Sequence, residues 1–550
     1  MSASGGTPPR RADDIWRYCV TGDPPGRPTS MQETPLRVTA AGALVLVASF
    51  VNYATHNGYP LLTPEVGLVS LGLLALVAAA GAAYAAAGRR LRTVLIVLLC
   101  FSAVQINFDG GLVVTALTLA LLLLGRARTP LLAAVAATML MGDLVTSIPT
   151  GNAMQPESSV APGRSADEPV LLHLVVDEHV GIEGFPVGDP DLEAARDAVV
   201  GFYDGQGFRL FAGAYSLFNN TVNALPTILN FGDIQPWAPE HLDGIDLDEN
   251  AYFERLEALG YDLTVYESDY IGYCGQTAVD RCVVYGINDL SAVAASALPV
   301  SAKASVVAYG FASLSGVALA VTNAYDRLAL YARDRGWFEL PFIELQLRSV
   351  FGSLSATAAF DRLVDDLRDA RPGQAYFAHL LLPHYPYVLA ADCTLKPIRE
   401  WGLRQSLVSS LDERRLAYAE QVRCVTTKIG EALAALADSP GGKRTIVIVH
   451  GDHGSRLTEY DPTLEAIDLF TDDDVVASHS TLFAVRAEGI DAGVEERRLP
   501  VSQILKTLSQ SAFGSAAVDV PDGFVPEVML VRRDAEPVRA YALPSSWVAD

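Results

Sequence analysis

The sequence is short of basic residues: 40 Lys and Arg stand against 64 Asp and Glu over 550 positions, a formal charge of −24. Nucleic-acid binding, which calls for a basic patch or stripe, is therefore not expected. Cysteine is scarce as well. The six present include no Cys-x-x-Cys spacing, so a cysteine-built zinc site is not expected either. No small-residue cleavage site follows the first apolar run, which argues against a removed signal peptide. There is no internal repeat. The acid run TDDDVV at 471–476 lacks EF-hand spacing and reads as a solvated loop rather than a calcium site.

Half of the residues are nonetheless apolar. Apolarity and acidity sit in different parts of the chain. Long apolar runs cover roughly 38–53, 63–87, 93–107, 111–125 and 130–147, and the acids crowd into the remainder of the chain. Several runs approach the length of about 20 residues that crosses a bilayer. Arg10, Arg11, Arg17, Arg27 and Arg37 precede the first run, Arg89, Arg90 and Arg92 follow the second, and Arg126 and Arg128 follow the fourth. The alternate loops, at THNGYP and NFDGG, have no Lys or Arg. The positive-inside rule then predicts a cytoplasmic segment 1–36, a five-span transmembrane domain 37–149, a linker 150–168 rich in Pro, Ser and Gly, and an extracytoplasmic domain 169–550. The predicted location is a bacterial-type plasma (inner) membrane, multi-pass. At 550 residues, two domains are the ordinary expectation.

In the exported part Cys274 and Cys282, and Cys393 and Cys424, are two candidate disulfides, with free buried thiols as the alternative. Strand patterns fall at 170–176, 208–215, 262–266, 375–382, 445–450 and 481–486, with helical patterns clearest at 412–437 and 501–511. Strands alternating with helices predict an α/β domain with a mainly parallel sheet, whose ligands bind beyond the carboxyl ends of the strands. One nearly uncharged stretch, 303–327, is long enough to cross a membrane. It is read as a membrane-facing helix or the wall of an apolar channel, because a sixth span would separate the strand ends on either side of it.

Polar residues follow the strands in a telling way. VLLHLVV ends in Asp177-Glu178-His179, AYFAHLLL in Pro-His384-Tyr-Pro, and TIVIVH in Gly-Asp452-His453-Gly, while His479 comes just before the last strand. Carboxylates and imidazoles arriving at one sheet edge are the donors of a Zn²⁺ or similar divalent site. In NNTVNALPTILN a hydroxyl residue precedes a helix start expected at Pro226, and a threonine near such a terminus and a metal is a candidate nucleophile. Thr221 competes for that role with Thr227 and Ser216. His173 and His450 lie within strand patterns and read as structural. Arg456 is read as meeting a phosphate or as a surface salt bridge.

This arrangement resembles the alkaline phosphatase/sulfatase superfamily, and more narrowly its membrane-anchored branch, the lipid A phosphoethanolamine transferases and lipoteichoic acid synthases. VVDEH is similar to the first ligand motif, TVNALP to the nucleophile motif of the phosphoethanolamine transferases, GDHG to the later ligand pair, and LLPHYPY and ASHSTLF to two histidine motifs. The resemblance implies a transmembrane helical bundle followed by an alkaline phosphatase-like (sulfatase-like) domain. It implies a divalent metal, Zn²⁺ favoured over Mn²⁺ or Mg²⁺, held by Asp177, Thr221, Asp452 and His453. It implies catalytic roles for Thr221, His384 and His479. Those transferases have glutamate at the first ligand position, so Glu178 stays open beside Asp177. The family's Cys-x-Pro-x-Arg nucleophile motif of sulfatases is absent. The implied activity moves a phospholipid head group, phosphoethanolamine or phosphoglycerol, through a phosphothreonine to an envelope lipid or glycan. A metal-dependent phosphate or sulfate ester hydrolase and a non-catalytic envelope protein are the alternatives.

Overall fold

Runs such as VLLHLVV and TIVIVH, apolar without alternation, suit strands that are covered on both faces. The computed structural model describes residues 34–107, 111–124, 127–146, 168–234, 245–247, 250–338, 340, 342, 343, 345, 351–401, 410–521, 523–531 and 539–544. In it these runs form the middle of an eight-stranded sheet. Its strands are β1 (Val170–Val176), β2 (Arg209–Phe211), β3 (Asp262–Ser268), β4 (Arg281–Tyr285), β5 (Gln374–Leu380), β6 (Thr445–His450), β7 (Phe483–Arg486) and β8 (Gly493–Glu495). Their order across the sheet is β8-β2-β7-β6-β1-β5-β3-β4. Only β7 runs antiparallel to its neighbours, β6 and β2; every other pairing is parallel. The mainly parallel sheet expected from the sequence is present.

The run 208–215 does not form one strand. It breaks after β2, and Ala214–Tyr215 pairs with Leu499–Pro500 in a separate two-stranded ladder. Gly213 sits at the break, where a Cβ would lie 2.8 Å from the Arg497 carbonyl oxygen and 2.9 Å from that of Glu496. The close crossing of the two chains is what ends the strand.

The chain divides into two units, Met1–Asn152 with Pro299–Arg348, and Ala153–Leu298 with Ser349–Asp550. In the first unit five helices match the five apolar runs: α1 (Pro35–His56), α2 (Pro64–Ala86), α3 (Arg89–Gln105), α4 (Gly111–Leu123) and α5 (Arg128–Thr146). Among the described residues α1 and α2 are long and apolar enough to cross a membrane. α1 packs on α2 and α5 through small side chains such as Ala41, Gly42 and Ala48, which let helix backbones approach closely. α2 buries only Glu65, Val66, Val69 and Tyr84, leaving the rest of its apolar surface facing out. The stretch 303–327 lies in the same unit as two helices, Val300–Ser313 and Gly316–Asp334, bent by 109° at the break between them. Residues 1–33, with Arg10, Arg11, Arg17 and Arg27, and the linker 150–168 except Glu168, lie outside the described residues.

In the second unit the helices that bear on the site are α6 (Pro190–Gly205), α7 (Thr221–Leu229), α8 (Gly352–Leu367), α9 (Leu411–Asp438), α10 (Asp472–His479) and α11 (Val501–Gln510). α9 starts on a capping box of Ser410 and Glu413. Leu171, Val175, Phe377, Ile448 and Phe483 centre the core on the sheet. Both predicted disulfides, Cys274–Cys282 and Cys393–Cys424, are formed.

Two local expectations change. The helix expected to begin at Pro226 begins at Thr221, because the Asn220 side chain accepts from Asn223 N and caps it there; Pro226 is inside the helix. TDDDVV is not a loop but the first turns of α10. Thr471 and Asp474 form a capping box, and Asp472 and Asp473 stand at the positive helix end.

Candidate active site

Asp177 follows β1 directly, and Asp452 and His453 follow β6, its parallel neighbour, so adjacent strand ends bring them together. The flanking glycines of Gly-Asp-His-Gly have a steric reason. A Cβ on Gly451 would lie 2.6 Å from the His179 carbonyl oxygen, and one on Gly454 would fall on the carbonyl of Ala477. Glu178 holds the turn after β1 with φ at 61°, donating its N–H to Asp452 Oδ1 at 3.1 Å. The Tyr418 hydroxyl fixes the same turn, donating to the Glu178 carbonyl at 2.8 Å and accepting from Val180 N at 2.9 Å.

Thr221, at the first position of α7, brings its Oγ1 to 3.4 Å from Asp177 Oδ2 and 3.4 Å from His453 Nε2. His453 Nε2 is also 3.5 Å from Asp452 Oδ2 and 3.8 Å from Asp177 Oδ1. All four residues are buried. These separations exceed the 2.7–3.0 Å of ordinary hydrogen bonds. They match the spacing of roughly 3.3 Å between donors that each sit 2.0–2.1 Å from a tetrahedral ion.

The histidine tautomer points the same way. His453 Nδ1 donates to the Gly454 carbonyl at 2.8 Å, so the neutral ring turns a bare Nε2 lone pair toward the carboxylates. Asp177 Oδ1 and Asp452 Oδ2 are buried with no hydrogen-bond partner among the described residues. Burial, then the charge of Asp452, push the Asp177 carboxyl well above its usual range, with His384 and Arg456 opposing. Burial likewise pushes His453 down to about 3. Two acids and a neutral imidazole, converging without a counter-charge among them, fit a divalent cation held by Asp177, Asp452 and His453 with Thr221 beside it.

The remaining predicted residues lie around this centre. His479 ends α10; its Nδ1 donates to the Ser216 carbonyl at 3.2 Å, and its buried Nε2 has no hydrogen-bond partner among the described residues. Burial lowers it to about 4, with its hydrogen bond to the Ser216 carbonyl opposing. His384, more open than the others, has its Nε2 3.6 Å from Glu178 Oε1. The Glu178 carboxylate is paired with Arg456 Nε at 2.5 Å and approached by Tyr385 N at 3.3 Å. Arg456 is thus in a buried ion pair, not a surface salt bridge. Thr227 returns its hydroxyl to the Asn223 carbonyl, and Ser216 supplies a backbone carbonyl to His479. His450 stacks on Phe483 and His173 pairs with the Tyr252 hydroxyl, both within the core.

One residue escaped the sequence reading. His379 Nε2 donates to Asp177 Oδ2 at 3.4 Å. Its signal was parity: in the β1–β5 register Val175 pairs with His379, so His379 shares the sheet face on which Asp177 continues, two residues after Val175.

No family model matches the sequence, and neither does any curated protein. Solved structures similar to this chain include the C-terminal periplasmic domain of EcEptC from Escherichia coli in complex with Zn, at 12% identity over 72% of this chain and 97% of that one, with a TM-score of 0.37. A 2-O GAG sulfatase aligns at 14% identity over 65% and 72%, TM-score 0.37. A protein of the alkaline phosphatase superfamily from Vibrio parahaemolyticus aligns at 12% identity over 68% and 75%, TM-score 0.33.

Proposed function

We propose that this chain is a membrane-anchored, metal-dependent phosphotransferase of the alkaline phosphatase superfamily, taking a phospholipid head group onto Thr221 and passing it to an envelope lipid or glycan. The observation that carries this reading is the placement of Thr221 Oγ1 at 3.4 Å from both Asp177 Oδ2 and His453 Nε2, within the Asp177, Asp452 and His453 cluster. Five apolar helices preceding the domain, with arginines only in alternate connections, support a five-span anchor and an extracytoplasmic site. A catalytic domain acting on lipid head groups gains local substrate concentration from such a tether.

When bound, a divalent cation, Zn²⁺ before Mn²⁺ or Mg²⁺ on this donor set, would lower the pKa of the Thr221 hydroxyl and offset charge on phosphoryl oxygens. The chain supplies the rest. Thr221 stands at the N-terminus of α7, where backbone N–H groups favour an anionic phosphoryl group. The Thr221 hydroxyl gives its proton to solvent, the Oγ1–phosphorus bond forms as the bond from phosphorus to the diacylglycerol oxygen breaks, and that leaving oxygen takes a proton. His384 is the donor in this reading; it is more open than the other histidines and has its Nε2 3.6 Å from Glu178 Oε1. In the second step the acceptor hydroxyl attacks phosphorus, the Oγ1–phosphorus bond breaks, and Thr221 Oγ1 leaves as the alkoxide with which the next cycle begins. His479 has its Nδ1–H on Ser216, so its bare Nε2 suits acceptance of the proton from the incoming hydroxyl.

The test is mass spectrometry of the full chain in vesicles of phosphatidylethanolamine or phosphatidylglycerol. Mass added at Thr221 together with diacylglycerol release is expected. Free head group formed with Thr221 never modified would replace transfer by hydrolysis, and no lipid turnover with any metal would remove the enzymatic reading.

A further inference from the structure

The segment after the bend at Ser315 has its polarity reversed. Helix Gly316–Asp334 turns a small and polar face inward: Ala329, Ala332 and Asp326 are buried, and Asp326 Oδ1 accepts Ile343 N at 2.8 Å. Its outward face has an apolar stripe. Val321, Ala324, Leu328 and Tyr331 recur at three- and four-residue steps, one side of a helix. Val321, Leu328 and Tyr331, with Trp337 and Phe338 just beyond, are each 46–63% exposed. A water-soluble surface helix places these the other way round.

The edges of the stripe are polar and include cations. Asn323, Arg327 and Asp334 lie along one flank, all exposed. Arg335 covers the Tyr331 ring at 4.7 Å, and Trp337 meets the same ring edge-on at 5.6 Å. Aromatic rings beside arginines with apolar neighbours are the composition of the bilayer's interfacial zone. The other arm of the bend, Val300–Ser313, belongs to the same unit as the apolar helices. Phe311 packs on Phe50 and Tyr53 of α1, and the Gln105 side chain of α3 accepts from Gly316 N at 3.0 Å. The bend is thus tied to α1 and α3, and the unit that carries the stripe also carries the outward apolar surface of α2.

We infer that residues 316–338 form an interfacial membrane anchor, lying along the bilayer with Val321, Leu328 and Tyr331 in the acyl boundary and Arg327 and Arg335 at the lipid phosphates. The occupant is a phospholipid surface. This rests on the membrane part of the proposed function and adds to it an attachment inserted within the second unit's sequence, far along the chain from the last apolar helix of the bundle.

The test uses the full chain in phospholipid vesicles, with Cys19→Ser and Cys100→Ala, and a fluorophore on a single introduced cysteine at Leu328, Asp334 or Leu71. Nitroxides on lipid acyl chains and a water-soluble quencher then report what each site faces. At Leu328 lipid quenching is expected to exceed aqueous quenching by about threefold, with the reverse at Asp334. Lipid quenching at Leu71 of α2 without it at Leu328 overturns the anchor and leaves the bundle in the membrane. Absence at both overturns the two together. A Leu328 probe shielded from lipid and from water assigns the stripe to a protein contact, a second copy or a partner, and overturns the anchor.

Discussion

Thr221 Oγ1 lies 3.4 Å from Asp177 Oδ2, although the two residues are 44 positions apart, one opening a helix and the other closing a strand. The pair joins the proposed nucleophile to a carboxylate that burial and Asp452 hold well above its usual pKa. Thr221→Ala removes the oxygen proposed to attack phosphorus but neither carboxylate. Turnover is expected to fall by roughly 10³-fold or more, with bound zinc, measured by elemental analysis, near the native level. Native turnover in that variant would take Thr221 out of the chemistry.

The ligand set predicts a different outcome for Asp452→Asn and His453→Ala. Each removes a donor from a three-residue cluster, so metal content and activity should fall together. Isothermal titration with Zn²⁺ checks this directly, and unchanged affinity in both variants would disperse the proposed centre. His379→Ala leaves all donors in place but removes one of the two groups, His379 and Thr221, that meet Asp177 Oδ2. A roughly 10–100-fold loss of zinc affinity is expected, the usual effect of removing a group that orients a ligand.

Stability of the chelated protein should depend on pH through the buried histidines. His179, His379, His450 and His479 are pushed down to about 4 and His453 to about 3 by burial. The unfolded chain binds protons near 6.5, before the folded protein does, so the stability these groups give above that pH is lost as pH falls toward 4. Each contributes up to about 1.4 kcal/mol per pH unit in that window. Asp177 has the opposite sign: its raised pKa favours folding below the unfolded value and is lost as pH rises. His173 is also pushed well down by burial, while burial raises Glu267, to about 7, and Asp269 as it does Asp177. Six histidines outweigh three acids, and thermal unfolding in EDTA should show Tm falling from pH 7 to pH 5. A flat profile would mean that these histidines are open to water.

The Glu178–Arg456 ion pair should show its coupling in a double-mutant cycle. Glu178 is fully buried and Arg456 nearly so. Arg456→Ala leaves a buried carboxylate without its partner and is expected to cost about 3 kcal/mol. Adding Glu178→Gln should recover part of that loss; simple additivity in denaturant unfolding would show that the two charges do not support each other.

Cys393 and Cys424 close a loop of 31 residues. Reduction, or the double Cys→Ser variant, is expected to lower stability by about 3 kcal/mol, largely through the freer unfolded chain. Thermal unfolding with and without reductant is the check, and an unchanged Tm would assign the bridge no structural role.

Much of the fold and the site was legible in the residues. VLLHLVV and TIVIVH could hardly be anything but covered strands, and the Asp and His residues beyond them declared donor chemistry. TDDDVV and Pro226 misled because capping depends on where one side chain meets a backbone N–H, a matter of single residues. Glu178 stands beside Asp177 as a rival ligand, and the fold keeps it near: its carboxylate pairs with Arg456 and forms, with Asp177 and His384, a second group whose donor atoms lie within 4.8 Å of one another.

The sequence by itself determined which stretches are apolar helices, which are buried strands, and what chemical groups end them, because periodicity and polarity act over a few residues. Tertiary structure alone decided that Asp177 meets an acid 275 positions away while its neighbour Glu178 pairs with an arginine, and that helix 316–334 turns its apolar side outward. Parallel strands order their ends by sheet position and register rather than by sequence distance, so the site became fixed only when β1, β5 and β6 lay side by side.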